Sequence, residues 1–477
     1  MNLIRFALVL VLSGMALAQP EKIPAGDSLP PVQLALEGRE WLTPEEPVVP
    51  RYRFEVGQKL VYGARSVMEH THGRELETRT LTLWVTDVDE EDGWRLVIHT
   101  RSETRSLDTG GETVRDRTSE HIEYCDFPAD GRFEDNPSLD ARTSVRFLPV
   151  LPSDTGEAAQ GWEDSDPSGW EARGFRVLGI DPLDEYLLAM EQDKRGLRSK
   201  VYEVDYRAVT LFDTALGLPV YKEIDARNGY GRQGSTRMVF ELDEVSYLDA
   251  FELDSFASQA KSWFSGYALW DMLTDEARVD LACADSLNRE ADSALARALD
   301  ELTFEELRGP ATRELERFRG YLSFMNQGGP ESEPAGLEGL EAPGWELKGL
   351  DGKKYRLEDY DRTVVVLDFW YRGCPWCIRA MPQLKELREE FGDKSLTLFG
   401  INIDEDTSDA RFVADLVKLN YPTLISEQTH KAYRVQGYPT LFVIAPGGRV
   451  YDIHRGYADD LGDNLRRQID ELLEVED

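Results

Sequence analysis

The chain has 477 residues and is 41% hydrophobic. This length predicts two or three domains, because single hydrophobic cores stop growing at roughly 250 to 300 residues. The 90 acidic residues outnumber the 54 Lys and Arg, and the resulting formal net charge of -36 repels nucleic-acid phosphates and anionic membrane surfaces. We therefore expect a protein that binds neither nucleic acid nor an anionic membrane surface.

The N-terminus has the pattern of a secretory signal peptide over residues 1–18. One arginine precedes the apolar run from Phe6 to Leu12, and Ala16-Leu17-Ala18 matches a cleavage site. The run is too short for a permanent membrane helix, and no cysteine follows it to carry a lipid anchor. We therefore expect an exported protein, periplasmic or extracellular and not integral to the membrane, in a compartment where disulfides form.

An antiparallel β domain is predicted next, over residues 51–253. The proline-rich and acidic stretch before it, residues 19–50, is typical of a linker. Within the domain, "TLTLWVTDV" alternates apolar and polar positions, Asp92-Gly93 forms a hairpin turn, and "WRLVIHT" returns. Such alternation predicts either a sandwich or a strongly curved sheet.

The pattern then changes to helices and afterwards to mixed elements. Residues 254–325 have helical periodicity, with Leu287, Ala291 and Leu295 on one stripe, and we expect these helices to bridge two domains. Residues 326–341, rich in Gly, Pro and Glu, predict a flexible linker. Strands and helices alternate over residues 342–477, which predicts an α/β fold on a mixed sheet.

Two of the four cysteines, Cys374 and Cys377, follow the apolar run "TVVVLDF" directly. A zinc site would need two more ligands, but His430 and His454 stand alone well downstream. A purely structural bridge would contribute little, because so short a loop removes little entropy from the unfolded chain. Where a buried strand becomes a helix, free N–H groups and the helix dipole favour a thiolate on the first sulfur. The pattern favours a redox pair.

The same residues resemble the thioredoxin superfamily, and more narrowly its exported TlpA-like and ResA-like thiol-disulfide oxidoreductases. "LDFWYRGCPWC" matches the family's strand-turn-helix signature, and Pro382 falls where the family kinks its active-site helix. "GYPT" matches the cis-proline loop, with Pro439 as the cis residue, and "GLDGKKYRLEDYDRTVVVLDFW" looks like the extra N-terminal hairpin of the TlpA-like branch. The resemblance covers about residues 342–460 and implies a thioredoxin-like fold there.

The resemblance also implies roles for individual residues. Cys374 would be the exposed nucleophile that attacks a substrate disulfide, Cys377 would resolve the mixed disulfide, and Asp368 would move the proton of the resolving cysteine. Asp368 can also be read as an ordinary carboxylate at the end of a strand. The residues expected to contact the substrate are Tyr438, Pro439, Pro375 and Trp376. The expected partners are client proteins with cysteines or disulfides and a separate redox partner, and we expect no metal and no cofactor.

Two positions depart from the family pattern. ResA-like proteins carry a glutamate three residues after the second cysteine, where this chain has Ala380, so the acid role must rest on Asp368. The tryptophan that often precedes the first cysteine is replaced by Gly373, while Trp376 lies inside the motif. Residues between the cysteines tune the reduction potential, so the direction of exchange, reduction or oxidation of clients, stays open.

Other candidate sites carry weaker signals. His70 and His72 share a strand face and could hold a metal, but beside a turn at Gly73 they favour a solvated hairpin end. Cys125 and Cys283 are either buried thiols or an interdomain disulfide, and sequence does not show the geometry that decides between them.

Three functions are compatible with these patterns. The first is an exported thiol-disulfide oxidoreductase whose β domain positions a client. The second is a binding module in which the β domain holds a ligand or a protein and the thioredoxin-like part is an accessory. The third is a peroxidase, which needs Thr or Ser three residues before the reactive cysteine, where this chain has Tyr371. We expect the first.

Overall fold

The computed structural model of this protein describes residues 34–474 except 37, 90–92, 134–144, 146, 166–169, 231–232, 280–283, 327–336 and 459. The signal-peptide prediction therefore lies outside the described residues, as does most of the predicted linker 326–341.

The described chain forms two compact units. The first contains a large β-sheet and the helices that follow it. The second contains Pro330–Asp477 together with two short segments from the first half of the sequence, Pro167–Glu171 and Gly196–Tyr202. The expected succession of an antiparallel β region, helices and an α/β region is confirmed.

The first unit is built on one ten-stranded antiparallel sheet with the order β4-β3-β2-β1-β10-β9-β8-β7-β6-β5. Two meanders, β1 to β4 and β5 to β10, are joined by pairing of β1 with β10, so the described strands form one sheet rather than a two-sheet sandwich. The strands are β1 (Gln58–His70), β2 (Gly73–Asp89), β3 (Gly93–Leu107), β4 (Thr113–Phe127), β5 (Trp162–Ser165), β6 (Ala172–Asp181), β7 (Asp184–Lys194), β8 (Val204–Asp213), β9 (Leu218–Asn228) and β10 (Gly234–Tyr247).

Alternation along the strands gives this sheet two apolar faces. Leu83 of β2 and Leu96 of β3 belong to the core on one face, whereas their neighbours Trp84 and Val97 belong to a second cluster that contains Phe256. The second cluster is formed with helices α3 (Ala250–Val279), α4 (Ala284–Asp300) and α5 (Glu305–Asn326). The helices that the sequence places between domains therefore pack with this sheet inside the first unit.

Part of the stretch expected to be a linker also contributes to the first unit. Leu36 is buried in the core of the sheet, and Trp41 packs against that core. The backbone of Leu42 exchanges two hydrogen bonds with Ile180, with N···O distances of 2.9 and 2.8 Å. Two short helices lie in the first half of the chain, α1 (Thr155–Gln160) in the first unit and α2 (Leu197–Val201) in the second.

The second unit has a five-stranded mixed sheet with the order β15-β14-β13-β16-β17, preceded by a two-stranded hairpin. β13 runs parallel to β14 and antiparallel to β16. The strands are β11 (Glu346–Lys348), β12 (Lys354–Arg356), β13 (Val364–Trp370), β14 (Leu396–Asn402), β15 (Thr423–Ile425), β16 (Thr440–Ile444) and β17 (Val450–Arg455). The helices are α6 (Pro375–Ser395), α7 (Thr407–Val417), α8 (Thr429–Ala432) and α9 (Leu461–Glu474), with a 3₁₀ turn at Leu357–Tyr360.

The central strand β13 divides its side chains between the two faces of this sheet. Val365 and Leu367 enter one core together with the hairpin residue Leu347. Val364 and Val366 enter the other core together with α6 and α9, which contribute Ala380, Leu384, Leu465 and Ile469. Side chains of even number on β13 therefore face α6, the helix that carries the cysteine motif.

None of the helices in the described ranges is long and apolar enough to cross a membrane.

Candidate redox site

Cys374 and Cys377 lie at the junction between β13 and α6. Cys374 is the N-cap residue of α6, Pro375 occupies the first turn, and the Cys374 Sγ accepts a hydrogen bond from the Cys377 backbone N–H at 3.1 Å. The two sulfurs are joined in a disulfide of 2.01 Å. The pair therefore stands at a helix N-terminus, where backbone N–H groups stabilise negative charge on the first sulfur once the disulfide is reduced.

Asp368 lies on β13 and is fully buried. Side chains alternate along a strand, so Asp368 lies on the same face as Val366 and Trp370, which is the face that α6 covers. Burial raises the pKa of Asp368 from 3.8 to about 7, although a hydrogen bond from Tyr421 opposes the shift. The carboxyl group is thus poised to change protonation near neutral pH, which general acid–base chemistry requires.

Tyr421 is a contact of Asp368 that sequence reasoning missed. Its hydroxyl lies 3.5 Å from Asp368 Oδ2, and burial raises the pKa of this tyrosine further above its usual value. Asp368 Oδ1, by contrast, is buried without a hydrogen-bond partner among the described residues. One carboxyl oxygen is held by a neutral donor and the other remains an open acceptor.

The peptide bond between Tyr438 and Pro439 is cis, in agreement with the sequence-based expectation. Pro439 is buried, and Tyr438 is half-buried next to Tyr371, with ring centroids 5.3 Å apart and an edge-to-face orientation. Both tyrosines pack against the apolar cluster that contains the two cysteines. The cis-proline loop and the cysteine motif thus meet at one site.

Trp376 and Pro375, the residues between the cysteines, differ in exposure. Pro375 is half-buried, whereas Trp376 is 39% exposed and stacks on Tyr457 with ring centroids 5.5 Å apart. The Arg379 guanidinium lies 5.1 Å from the Tyr457 ring centroid and 5.7 Å from that of Trp376. An aromatic surface with a cation beside it therefore flanks the motif.

Arg372, two residues before Cys374, is a second feature that the sequence did not single out. Its side chain is buried, its Nη1 donates to Asp409 Oδ1 at 2.9 Å, and its backbone N–H donates to Asp404 Oδ2 at 2.9 Å. The guanidinium also lies 4.1 Å from the ring centroid of Phe412. These contacts fix the turn that presents the motif.

The guanidinium of Arg372 also binds a segment from the first half of the chain. Its Nε and Nη2 donate to the carbonyl oxygen of Val201 at 3.2 and 2.8 Å. Val201 and Trp170 are buried in one cluster with Cys374 and Cys377. Cys374 itself is only 3% exposed, so the expectation of an exposed nucleophile is wrong, because the sulfur lies in a buried apolar cluster with these residues.

The weaker candidates do not converge on a site. His70 ends β1, and its Nδ1 accepts a hydrogen bond from the His72 backbone N–H at 3.2 Å, which fits a hairpin end. Among the residues that the structure describes, no group of three or more His, Cys, Asp and Glu is placed to hold a metal ion. Cys125 is buried in the first unit, and Cys283 lies outside the described residues, so both alternatives, buried thiols and a disulfide, stay open.

The second unit of this chain is similar to proteins of known families. Residues 339–453 match the model of the AhpC/TSA family. The chain is 35% identical over 123 residues to the thioredoxin-like protein YneN of Bacillus subtilis, covering 25% of this chain and 72% of that protein. It is 32% identical over 120 residues to the thiol-disulfide oxidoreductase ResA of Geobacillus thermodenitrificans, covering 25% of this chain and 69% of ResA.

Through this part, the chain belongs to the ResA-like thiol-disulfide oxidoreductases of the thioredoxin superfamily. A solved structure assigned to the thiol:disulfide interchange protein DsbE of Chlorobium tepidum is 30% identical, with a TM-score of 0.28, and covers 28% of this chain and 97% of that one. The identity with ResA, not the structural likeness, shows that this part is an oxidoreductase.

Proposed function

We propose that the protein exchanges disulfides with client proteins through Cys374 and Cys377. In the reducing direction the Cys374 thiolate attacks one sulfur of a client disulfide. The client S–S bond breaks, a mixed disulfide forms on Cys374, and the first client sulfur leaves as a thiolate that takes up a proton. The reverse sequence oxidises a client dithiol.

The second half of the exchange returns the pair to the disulfide. The Cys377 thiol loses its proton, and its thiolate attacks Cys374 Sγ, so that the mixed disulfide breaks and the second client sulfur leaves as a thiolate. The client has then gained two electrons and two protons, and the Cys374–Cys377 pair has lost them. A separate redox partner with a dithiol must reduce the pair before the next cycle.

Asp368 takes the proton of Cys377 in this scheme. Support comes from its place on the β13 face that α6 covers, from its open Oδ1 and from a pKa that burial raises to about 7. A carboxylate of ordinary pKa would be a weak base for a thiol, whereas one near 7 is matched to proton transfer at neutral pH.

Tyr438, Pro439, Pro375 and Trp376 form the surface that meets the client. The backbone at Tyr438-Pro439 offers hydrogen-bonding groups to an extended client segment, and the exposed Trp376 ring offers apolar contact beside the reactive sulfur. The observation that carries the whole proposal is the Cys374 sulfur at the N-cap of α6, accepting the Cys377 N–H.

Trapping of clients tests the proposal directly. In Cys377→Ser no second thiolate remains, so we expect Cys374 to accumulate in mixed disulfides that non-reducing electrophoresis resolves and reductant releases. Cys374→Ser, which makes the same substitution and keeps the other thiol, is the matched control and should trap none at this position. Equal trapping by both variants, or by neither, would contradict the assignment of Cys374 as nucleophile.

We further propose that the protein is exported and works in an oxidising compartment. The support is the signal-peptide pattern of residues 1–18, together with a redox pair whose oxidised form persists in such compartments. Cell fractionation followed by N-terminal sequencing should find the protein outside the cytoplasm and starting at Gln19. Recovery in the cytoplasm with an intact N-terminus would contradict this.

A further inference from the structure

Residues from the first half of the sequence share the buried apolar cluster of Cys374. Trp170 precedes β6, and α2 with Tyr202 lies between β7 and β8, yet these residues belong to the same compact unit as the cysteine pair. We call Trp170, Glu171 and residues 196–202 the cover. Trp170 and Val201 are 6% and 0% exposed, as buried as the motif residues with which they cluster.

The two pieces of the cover are bonded to each other. The Arg198 backbone N–H donates to the Trp170 carbonyl at 2.9 Å, and the Arg198 guanidinium forms an ion pair with Glu171. The rings of Trp170 and Tyr202 meet edge to face with centroids 6.5 Å apart. The pieces therefore act together, and displacing one weakens the hold on the other.

The cover is attached to the motif through both kinds of contact that a client segment would use. Apolar side chains, Trp170 and Val201, share the cluster of Cys374, while a backbone carbonyl, that of Val201, accepts two hydrogen bonds from Arg372. A buried guanidinium needs such acceptors, because an unpaired buried charge is strongly unfavourable. An extended peptide offers the same combination of side chains and carbonyls.

We propose that the cover occupies the client-binding surface beside Cys374 in the oxidised protein, and that a client reaches Cys374 only by displacing it. This rests on the proposed disulfide exchange and deepens it by naming a substrate class. A client that replaces the cover must bring an aromatic or aliphatic side chain for the apolar cluster and a backbone carbonyl for Arg372. An extended apolar segment next to the client cysteine meets both needs.

The test measures access to the disulfide in the full chain, without any client. Dithiothreitol reduces the pair by attack of its thiolate on one sulfur, which releases the other as a thiolate. Its second thiolate then closes to oxidised dithiothreitol, which breaks the mixed disulfide and releases the first sulfur as a thiolate. In Trp170→Ala the rate of reduction should rise at least about tenfold, the change that about 1.4 kcal/mol in the closing equilibrium produces. Quenched alkylation and peptide mass mapping give this rate.

The control is Leu183→Ala, since Leu183 is 69% exposed at the turn between β6 and β7 and lies outside the cover. Its rate should equal that of the unmodified protein. Equal acceleration by both variants would show general loosening and would overturn the proposal, as would unchanged reduction in a folded Trp170→Ala.

A charge swap keeps the test decisive if Trp170→Ala fails to fold. Glu171→Arg sets two like charges against each other at a partly exposed pair and should speed reduction, by a factor that falls as salt is added. Adding Arg198→Glu restores an opposite pair and should return the rate to its original value. Failure of the second change to reverse the first would overturn the proposal. Because no client takes part, these outcomes are independent of whether the trapping experiment succeeds.

Discussion

Both compact units bury an ionisable side chain whose charged form is disfavoured. Asp368 on β13 is 0% exposed, and Lys222 on β9 is 2% exposed. Burial raises the pKa of Asp368 from 3.8 to about 7 and, with help from the positive charges of Arg173 and Lys194, lowers the pKa of Lys222 from 10.5 to about 7. The pKa of a carboxyl is thus raised, and that of an amine lowered, to about the same value, because burial disfavours the charged form of each group.

The two groups differ in their hydrogen bonds. The Lys222 Nζ donates to the Phe147 carbonyl and to Gln192 Oε1, both at 3.1 Å. Asp368 accepts from Tyr421 at 3.5 Å with one oxygen, while its Oδ1 has no partner among the described residues. The hydrogen bonds of Lys222 link β9 to β7 and to the segment at Phe147. Asp368, on the β13 face that α6 covers, has one carboxyl oxygen that accepts no hydrogen bond from the described residues. A shifted pKa alone does not mark a functional site, and the proposed role of Asp368 rests on the raised pKa together with the open acceptor.

The largest expected effect concerns where the redox chemistry resides. Cys374→Ser should reduce the turnover of a model disulfide to the background of the reductant alone, because Cys377 in the first turn of α6 is then left without a partner for disulfide closure. Cys125→Ala, a buried cysteine of the first unit, should leave turnover unchanged. The measurement is the reduction of insulin by the full chain with dithiothreitol as electron source. Activity that disappears with Cys125 and survives without Cys374 would reverse the comparison between the units.

The next effect separates the two buried ionisable groups by function. Asp368→Asn keeps the shape of the side chain but cannot take a proton, so release of a client from the Cys374 mixed disulfide should slow about a hundredfold. The pH profile of release should also lose a titration near 7, in line with the raised pKa of Asp368. Lys222→Met is the matched control, because it removes a buried ionisable group of the first unit, and it should leave both rate and profile unchanged. A profile that keeps the titration in Asp368→Asn would return Asp368 to a structural role.

Substitution of Lys222 should leave the exchange rate unchanged but lower the stability of the first unit. Lys222→Ala leaves two buried acceptors without their donor and opens a cavity, so the first unit should lose about 4 kcal/mol of unfolding free energy. Lys222→Met fills the space and should lose about 2 kcal/mol, for the two acceptors alone. Hydrogen exchange of peptides from β7 and β9 reports the loss in this unit separately from the other. Equal protection in both variants and the unmodified chain would show that the amine does not hold these strands.

The local parts of the candidate site were predictable from sequence. Cys374, Cys377 and the cis bond before Pro439 follow from short motifs, because a strand-to-helix turn and a proline loop are specified by neighbouring residues. The contacts that join distant segments were not. Tyr421 reaches Asp368 across 53 positions, and Val201 reaches Arg372 across 171. A hydrogen bond between residues so far apart leaves no periodic trace in the sequence.

The large sheet shows the same limit. Alternation at Leu81, Leu83 and Val85 predicts a strand with one buried face, and all three are buried. Alternation does not say which strands pair, and the pairing of β1 with β10 is what joins two meanders into one sheet. Nor does it reveal that both faces are covered, although the apolar Trp84 within this alternating run packs with Phe256 of α3.

A further expected effect is the pH dependence of stability, which should have opposite signs in the two units. The pKa of Asp368 is about 7 when folded and 3.8 by its usual value, so between these values the folded state binds more protons than the unfolded state. Stability of the second unit should therefore fall as pH rises from about 4 through 7. The pKa of Lys222 is about 7 when folded and 10.5 by its usual value, so there the unfolded state binds more protons, and stability of the first unit should rise from pH 7 to about 10.

Hydrogen exchange of β13 and β9 peptides, corrected for intrinsic rates at each pH, measures both slopes in the full chain. Asp368→Asn should flatten the first slope and leave the second, and Lys222→Met should do the reverse. Each variant thus controls for the other, since other titrating groups of both units remain in place. If the two slopes have the same sign, or if one variant flattens both, the buried carboxyl and the buried amine are not the sources of the pH dependence in their units.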